Sequence, residues 1–418
     1  MRILYLSQYF PPEVGATQTR AYEMARGLIQ AGHQVTMLTE VPNHPAGIIQ
    51  PGYRRRLWVR RQLEGIEVLH GWVWASPNNN FVNRMAFYLS YMTGATMMGL
   101  VLARGRYDAI YCTSPPLFAG GAALALHFLR RTPLFFEIRD LWPESAVEMG
   151  ELNNRRAIQL SAWLADQCYR HSHHLVVVTA GIRDSLLQKG IPAEKITLIP
   201  NGANTELFQP QPAAAATLRQ QLNLHDQFVV LYAGILGLAQ GLETVLDAAA
   251  ILQTHPHIQF LFAGTGPREQ ALRDYAQNLG LTNVQFLGQQ PREAMPTTLS
   301  LADVAVVPLR DVPVFAGALP SKLFDAWACA CPTLTSIRGE AQKLVEQAGA
   351  GQFVTPENPT ELAQAILALS TQPEKRKEMG ARGRDFVSQH YSRQAQARHL
   401  VTLLEQQVER LEIERLRD

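Results

Sequence analysis

The chain has little of what several function classes require. Among 418 residues there are four cysteines, Cys112, Cys168, Cys329 and Cys331, with one C-x-C and no C-x-x-C pair. That excludes a cysteine metal framework. Cys112 and Cys329 sit in apolar runs, where a thiol serves as a small core residue, and reduced thiols suit a cytoplasm. No D-x-D occurs, the aspartate pair that chelates a divalent cation, and a metal is not expected. The first strand-like run is followed by PPEVGATQ, without the G-x-G-x-x-G of dehydrogenases. The formal net charge is only +2, so nothing global demands nucleic acid as a partner. The opening MRILYLS is too short for a secretory signal, and Gln8, Pro11, Pro12 and Glu13 interrupt it. It reads as a buried first strand of a cytoplasmic protein.

What is present is a globular composition, 47% hydrophobic, at a length that suits two domains. Apolar runs alternate with helical segments. Strands are expected at Ile3–Leu6, Val35–Thr39, Ile66–Leu69, Ala109–Cys112, Leu134–Glu137 and Leu175–Thr179. The pattern restarts with Phe228–Gly234, Ile258–Gly264, Val284–Leu287, Val304–Pro308 and Thr333–Thr335. Strands separated by helices argue for parallel, doubly wound sheets, hence an α/β chain of two Rossmann-like domains. The stretch Gln209–Ala216, with two prolines and four alanines, reads as a linker. The expected domains are residues 1–205, joined by a C-terminal helix over about 392–418, and residues 206–391.

Charge divides unevenly. Residues 1–205 hold 20 Lys and Arg against 14 Asp and Glu. A basic first half suggests an anionic lipid or acceptor there. Residues 81–103, FVNRMAFYLSYMTGATMMGLVLA, carry one charge, Arg84. Upstream lie YRRRLWVRR and Trp72 and Trp74. A transmembrane helix, a buried core helix and a helix lying on a bilayer all fit. The third makes residues 53–103 a peripheral membrane contact.

Candidate site residues follow strands. Gly15 lies after the first. Gly234, Gly237 and Gly241 follow the strand that opens the second domain, and Gly264 and Gly266 follow the next. Without side chains, such positions let backbone approach a phosphate or a sugar, although many turn glycines do no more than turn. In GALPSKLFDAWACACP, Lys322 and Asp325 are one helical turn apart, on one face of a helix that starts at Pro320-Ser321. They fit either a ligand cradle or a surface ion pair. In FFEIRDLWPES, Glu137, Arg139, Asp140 and Glu144 follow a buried strand, where charges point into a ligand crevice or into solvent.

Taken in order, these segments resemble family 4 glycosyltransferases of the GT-B fold, over nearly the whole chain. QYFPPEVGATQTRAYEMARGL is similar to the family's N-terminal Gly loop, and IPNGANTELF to the segment closing its first domain. YAGILGLAQGLETVLDAA, FAGTGPREQAL and VQFLGQQPREAMPTTLSLADVAVVPL resemble the donor domain. PSKLFDAWACACPTL resembles its nucleotide-binding segment, with Lys322, Leu323 and Asp325. EIRDLWPES is similar to a run in bacterial surface-polysaccharide and lipid-linked-oligosaccharide transferases.

The resemblance implies two Rossmann-like domains facing each other, a terminal helix returning to the first, and retaining transfer from a nucleotide-diphosphate sugar. It implies that Asp325 takes the ribose, that Lys322 lies near the diphosphate, and that Glu137, Arg139 and Asp140 serve catalysis. A lipid-linked or glycan acceptor follows.

Three departures stand out. Ile235 and Gln240 occupy the family's Arg and Lys places in the Gly-rich stretch. Gly317 replaces the first Glu of its paired acids. Arg139 stands where a His commonly precedes Asp140. They leave open a non-catalytic scaffold, or an epimerase or hydrolase on the same fold.

Overall fold

The computed structural model describes every residue except Val14, Pro45, Asn79, Met149, Glu151 and Asp418. Val14 falls in the PPEVG loop and Asn79 in the 53–103 region. The chain divides into two compact units, Met1–Pro200 with Gln394–Asp418, and Asn201–Arg393.

The first unit is built on β1 (Arg2–Leu6), β2 (Gln34–Glu40), β3 (Trp58–Leu63), β4 (Ile66–Gly71), β5 (Ala109–Ser114), β6 (Leu134–Ile138), β7 (His174–Val177) and β8 (Ile196–Leu198). Their order is β3-β4-β2-β1-β5-β6-β7-β8. All pairings are parallel except β3 with β4. Ile3 lies opposite Val35 on one side and Ala109 on the other. Strands covered on both faces read as continuous apolar runs, which is why they stand out in the sequence. Leu126 and Cys168 close one face, and Met24, Leu28 and Leu400 close the other. The helix Arg393–Arg417 thus supplies part of the first unit's core. Strand order reverses between β1 and β5, a topological switch point beside which ligands bind at the carboxyl ends.

The second unit repeats the plan with β9 (Phe228–Ala233), β10 (Ile258–Ala263), β11 (Val284–Gly288), β12 (Val304–Pro308), β13 (Thr333–Ser336) and β14 (Gly351–Phe353), in the order β11-β10-β9-β12-β13-β14. Its switch point lies between β9 and β12, so the loops leaving these two strands are the ones placed to meet a ligand.

Two expectations change. The chain passes between units at Pro200 and Asn201, and Gln209–Ala216 is no linker. Pro212 opens a helix, Pro212–Gln221, because proline at a first helical position loses no hydrogen bond there. The segment 81–103 forms the helix Phe81–Val101, and among the described residues no helix is long and apolar enough to cross a membrane. Its inner face is core, with Tyr91, Ala95 and Met98 buried and the Tyr91 hydroxyl donating to the Leu38 carbonyl at 2.9 Å. Its outer stripe is also apolar: Val82 is 72% exposed, Met97 59% and Val101 58%.

Candidate functional site

In the second unit β9 and β10 end in glycines that cross at close range. Gly234 donates to the Ala263 carbonyl at 2.8 Å. Gly264 has φ 149°, and a Cβ there would lie 1.8 Å from the Gly234 carbonyl oxygen. Both turns therefore need glycine for the fold itself. Across from them stands the helix Ser321–Ala328, reached from β12. Its Lys322 donates to the Tyr232 hydroxyl at 2.7 Å, and that hydroxyl donates on to the Ile235 carbonyl at 2.6 Å. A Cβ on Gly234 would sit 2.8 Å from Lys322 Nζ. The ammonium thus lies against bare backbone at the switch point. Burial pulls its pKa down to about 7.

Asp325, one turn on, has the opposite charge and a different partner. Its Oδ1 lies 3.8 Å from the Arg393 guanidinium, is buried, and accepts no hydrogen bond from the described residues. Burial lifts its pKa to about 6, against the pull of Arg393 and Arg292. The surface ion pair with Lys322 is not what forms: each group has its own neighbour. The Leu323 side chain is wholly buried in the core, which confines its part in a donor site to backbone.

The other glycines are placed less tightly. Gly241 has φ 56°, and a Cβ there would touch Arg310 Cγ at 3.3 Å. Gly237 lies in the same loop, and a Cβ on Gly266 would collide with the Leu236 carbonyl. Two cations not singled out in the sequence flank this loop where Ile235 and Gln240 offer none. Arg310 donates its backbone N–H to the Ala239 carbonyl at 2.9 Å, and Arg268 pairs with Glu243 at 2.6 Å. No motif spacing marks either one.

In the first unit the carboxyl end of β6 carries Glu137, Arg139 and Asp140. Glu137 corrects the expectation. It is fully buried, and both oxygens are engaged: Arg20 Nε at 2.9 Å and Tyr111 at 2.9 Å on Oε1, Thr113 at 2.6 Å on Oε2. Burial pushes its pKa up, but Arg20 and Arg139 hold it below the ordinary carboxylate value. With both oxygens held by side chains of the fold, Glu137 is not open to a substrate as the sequence position suggests. Arg20, which reaches on to the carbonyls of Ile199 and Pro200, was missed for lack of any motif. Asp140 is half-buried, accepts from the Ser145 hydroxyl at 2.8 Å, and has its pKa raised by burial.

Gly15 caps the helix Ala16–Gln30 in extended backbone that any residue adopts. A Cβ there would meet only the tip of Gln18. Beside it two acids, Glu13 and Glu40, are buried. Glu13 accepts from the backbone N–H groups of Asn43 and His44 at 2.7 Å each, and Glu40 accepts from Gln8 at 2.8 Å and Asn43 at 2.7 Å. Burial raises both pKa values.

Two family models divide the chain along these units. A glycosyl transferase 4-like domain matches residues 15–202, and a glycosyl transferases group 1 domain matches residues 215–386. The chain belongs to the family 4 glycosyltransferases of the GT-B fold. The transferase is 28% identical over 339 residues to WcaI of Escherichia coli, a glycosyl transferase assigned by name to colanic acid biosynthesis. That match covers 78% of this chain and 81% of the relative. It is 27% identical over 201 residues to a GDP-mannose-dependent phosphatidylinositol monomannoside mannosyltransferase of Mycobacterium tuberculosis. That match spans 47% of this chain and about half, 52%, of the relative's length. Among solved structures, Anabaena HepE in complex with UDP-glucose superimposes with TM-score 0.72, 20% identity, and 99% of both chains covered, which shows the shared fold.

Proposed function

We propose that the transferase moves a sugar from a UDP-sugar, with retention at the anomeric carbon, to a lipid-linked or polysaccharide acceptor at the cytoplasmic face of a membrane. The observation that carries this reading is Lys322 against Gly234 at the switch point of the second unit. In the reaction the bond from the anomeric carbon to the diphosphate oxygen breaks and the acceptor oxygen takes its place, its proton passing to the departing diphosphate. The departing diphosphate gains negative charge. Lys322 stabilises it, as an oriented donor does wherever charge develops in a low-dielectric site. No metal enters this account. The Asp325 oxygen without a hydrogen-bond donor suits a ribose hydroxyl, and half-buried Asp140 with Arg139 is suited to orient the acceptor hydroxyl.

Thermal unfolding with UDP, GDP, ADP and TDP, with and without EDTA, tests the donor half. A ligand at about 100 times its dissociation constant stabilises by about 2.7 kcal/mol. A selective shift with UDP that EDTA leaves unchanged is expected. Absence of a shift with every diphosphate would defeat the donor site.

The membrane half rests on the 53–103 region, whose outer stripe of Val82, Met97 and Val101 leaves apolar surface unpartnered within the first unit. The name of one relative, a phosphatidylinositol monomannoside mannosyltransferase, supports a lipid-borne acceptor. Flotation with anionic liposomes should carry the wild type upward, and Met97→Glu with Val101→Glu should leave it at the bottom. A wild type that ignores the liposomes would remove the membrane claim.

A further inference from the structure

The amino edge of the first unit gathers arginines. β1, β5 and β6 start side by side there, and their approach segments bring together Arg2, Arg104, Arg106, Arg130 and Arg131. The Arg2 guanidinium donates to the carbonyls of Arg104 and Arg106 at 3.2 Å each, and Arg130 donates to those of Gly99 and Gly105. The two guanidiniums lie 4.9 Å and 5.3 Å from the centre of the Tyr107 ring, whose hydroxyl donates to Thr36 Oγ1 in the sheet at 3.0 Å. Gly105, at φ 87°, leaves no room for a side chain beside Arg2. The loop is thus braced from both sides.

Bracing accounts for Arg2 and Arg130, which satisfy carbonyls that helix ends and loops leave open. It does not account for Arg104, Arg106 and Arg131. All three are exposed, and their side chains have no hydrogen-bond or ion-pair partner among the described residues. Elsewhere in the same unit exposed arginines find carboxylates, Arg60 with Glu67 at 3.0 Å and Arg170 with Asp166 at 2.8 Å. Guanidiniums held close together without neutralisation repel one another, and a bound anion relieves that repulsion.

There is room for one. A cavity of about 710 Å³ is walled by Arg106, Arg130 and Arg131, with Asp108 and Glu412 as its acids. Asp108 is already engaged, accepting from the Arg2 backbone N–H at 2.6 Å. A second cavity of about 420 Å³ shares Arg131 and adds Phe128 and His171, whose rings meet edge-on at 5.3 Å. Volumes of this size hold a small ligand. Both lie at the amino ends of the strands, whereas Asp140 follows the carboxyl end of β6, so the sheet separates them from it.

We infer that this edge is a second anion site, for a phosphate monoester: Arg106 and Arg131 hold the phosphate, and the cavity beside Phe128 takes the rest of the ligand. A monoester offers three acceptor oxygens to several guanidinium forks, where a carboxylate offers two. The site has no part in sugar transfer and stands independently of that reading. Its phosphate comes from a lipid headgroup or from a soluble ester.

The test uses the full chain with UDP in excess, so that the donor site is filled. Glycerol 1-phosphate, titrated by calorimetry, is the soluble arm. Flotation with phosphatidylcholine vesicles carrying phosphatidic acid, a monoester, or phosphatidylglycerol, a diester, is the lipid arm. The wild type should bind glycerol 1-phosphate, or prefer phosphatidic acid to phosphatidylglycerol, or both. Arg106→Gln with Arg131→Gln should weaken that binding about tenfold or more, the scale of a lost charge-assisted hydrogen bond. Arg55→Gln with Arg56→Gln removes equal charge from another exposed stretch and should weaken it far less. Unliganded melting temperatures equal to that of the wild type set binding loss apart from misfolding. Loss of glycerol 1-phosphate binding names a soluble ligand, and loss confined to phosphatidic acid vesicles names a headgroup. A wild type that binds neither overturns the site. Equal binding of the two anionic lipids without glycerol 1-phosphate binding, or equal loss in the two variant pairs, also overturns it, since either reduces the cluster to general positive surface. A wild type whose melting UDP leaves unshifted defeats the donor reading alone.

Discussion

Lys322 and Tyr232 are joined twice: the ammonium donates to the phenol oxygen at 2.7 Å and lies 4.2 Å from the centre of the ring. Neither contact brings an anion, so burial decides, and the amine's pKa falls to about 7.

That value sets a proton count. At pH 8 the unliganded Lys322 is largely neutral, and a diphosphate beside it favours the charged form. Binding of UDP at pH 8 should therefore take up a proton. Calorimetry in buffers of different ionisation enthalpy reads it, and Lys322→Met should abolish both the uptake and most of the affinity. Stability carries the same signature. Between pH 7 and the ordinary lysine value, the unfolded chain binds a proton that the folded chain lacks, so stability should rise with pH across that window. Lys322→Met should flatten the rise. Equal slopes in wild type and variant would refute the depressed pKa.

Asp325 governs the acid side. With its pKa near 6, the carboxylate that is to accept ribose hydroxyls is lost as pH falls below that value. Donor affinity should drop below pH 6 in the wild type. Asp325→Asn should bind about tenfold or more weakly at pH 7, the size of a lost charge-assisted hydrogen bond, and should show no drop below pH 6. Thermal shifts across pH measure both. An unchanged acid limb in Asp325→Asn would assign it to another group.

The Arg20–Glu137 pair makes a prediction about folding. Removing Arg20 leaves a carboxylate buried among Tyr111 and Thr113 with its main counter-charge gone. Arg20→Met should cost about 3–5 kcal/mol, and Arg20→Met with Glu137→Gln markedly less. The sign with pH follows. In the wild type the folded pKa of Glu137 is depressed, so its contribution is present above the ordinary Glu value and is lost as pH falls through the depressed one. In Arg20→Met burial acts against a weaker opposing charge, and the variant should regain part of its deficit on acidification. Urea unfolding at pH 7 and pH 4.5 tests this. A deficit unchanged between the two would mean that the pair is not coupled.

The sequence carries the sheet strands well because those of a doubly wound fold are apolar on both faces. β3 is not evident because WVRRQL is an edge strand whose Arg60 and Arg61 stay exposed, and β8 and β14 because Ile196–Leu198 and Gly351–Phe353 are too short to leave a pattern. Lys322 and Asp325 were legible from their spacing on one helix. Their environments were not, since Tyr232 and Arg393 are distant in sequence and arrive only with the fold. Glu137 looked like its neighbours Arg139 and Asp140 by position. Pleat alternation turns it into the sheet, and only Arg20, far upstream, reveals that.

Glycines at two of the sites separate structural demand from ligand demand. At Gly264 both the backbone, with φ 149°, and the Gly234 carbonyl exclude a side chain. Gly264→Ala should destabilise by about 1–3 kcal/mol, visible as a fall of several degrees in the melting temperature of the unliganded protein. At Gly15 the backbone is ordinary, and an added methyl would displace only the Gln18 side-chain tip. Gly15→Ala should cost the free protein less than about 1 kcal/mol. If backbone at Gly15 approaches the donor, the same variant should weaken the shift given by UDP-sugar more than that given by UDP alone, because the methyl would stand where the sugar comes close. Equal weakening with both ligands would place Gly15 at the nucleotide. No weakening with either would leave it a turn residue.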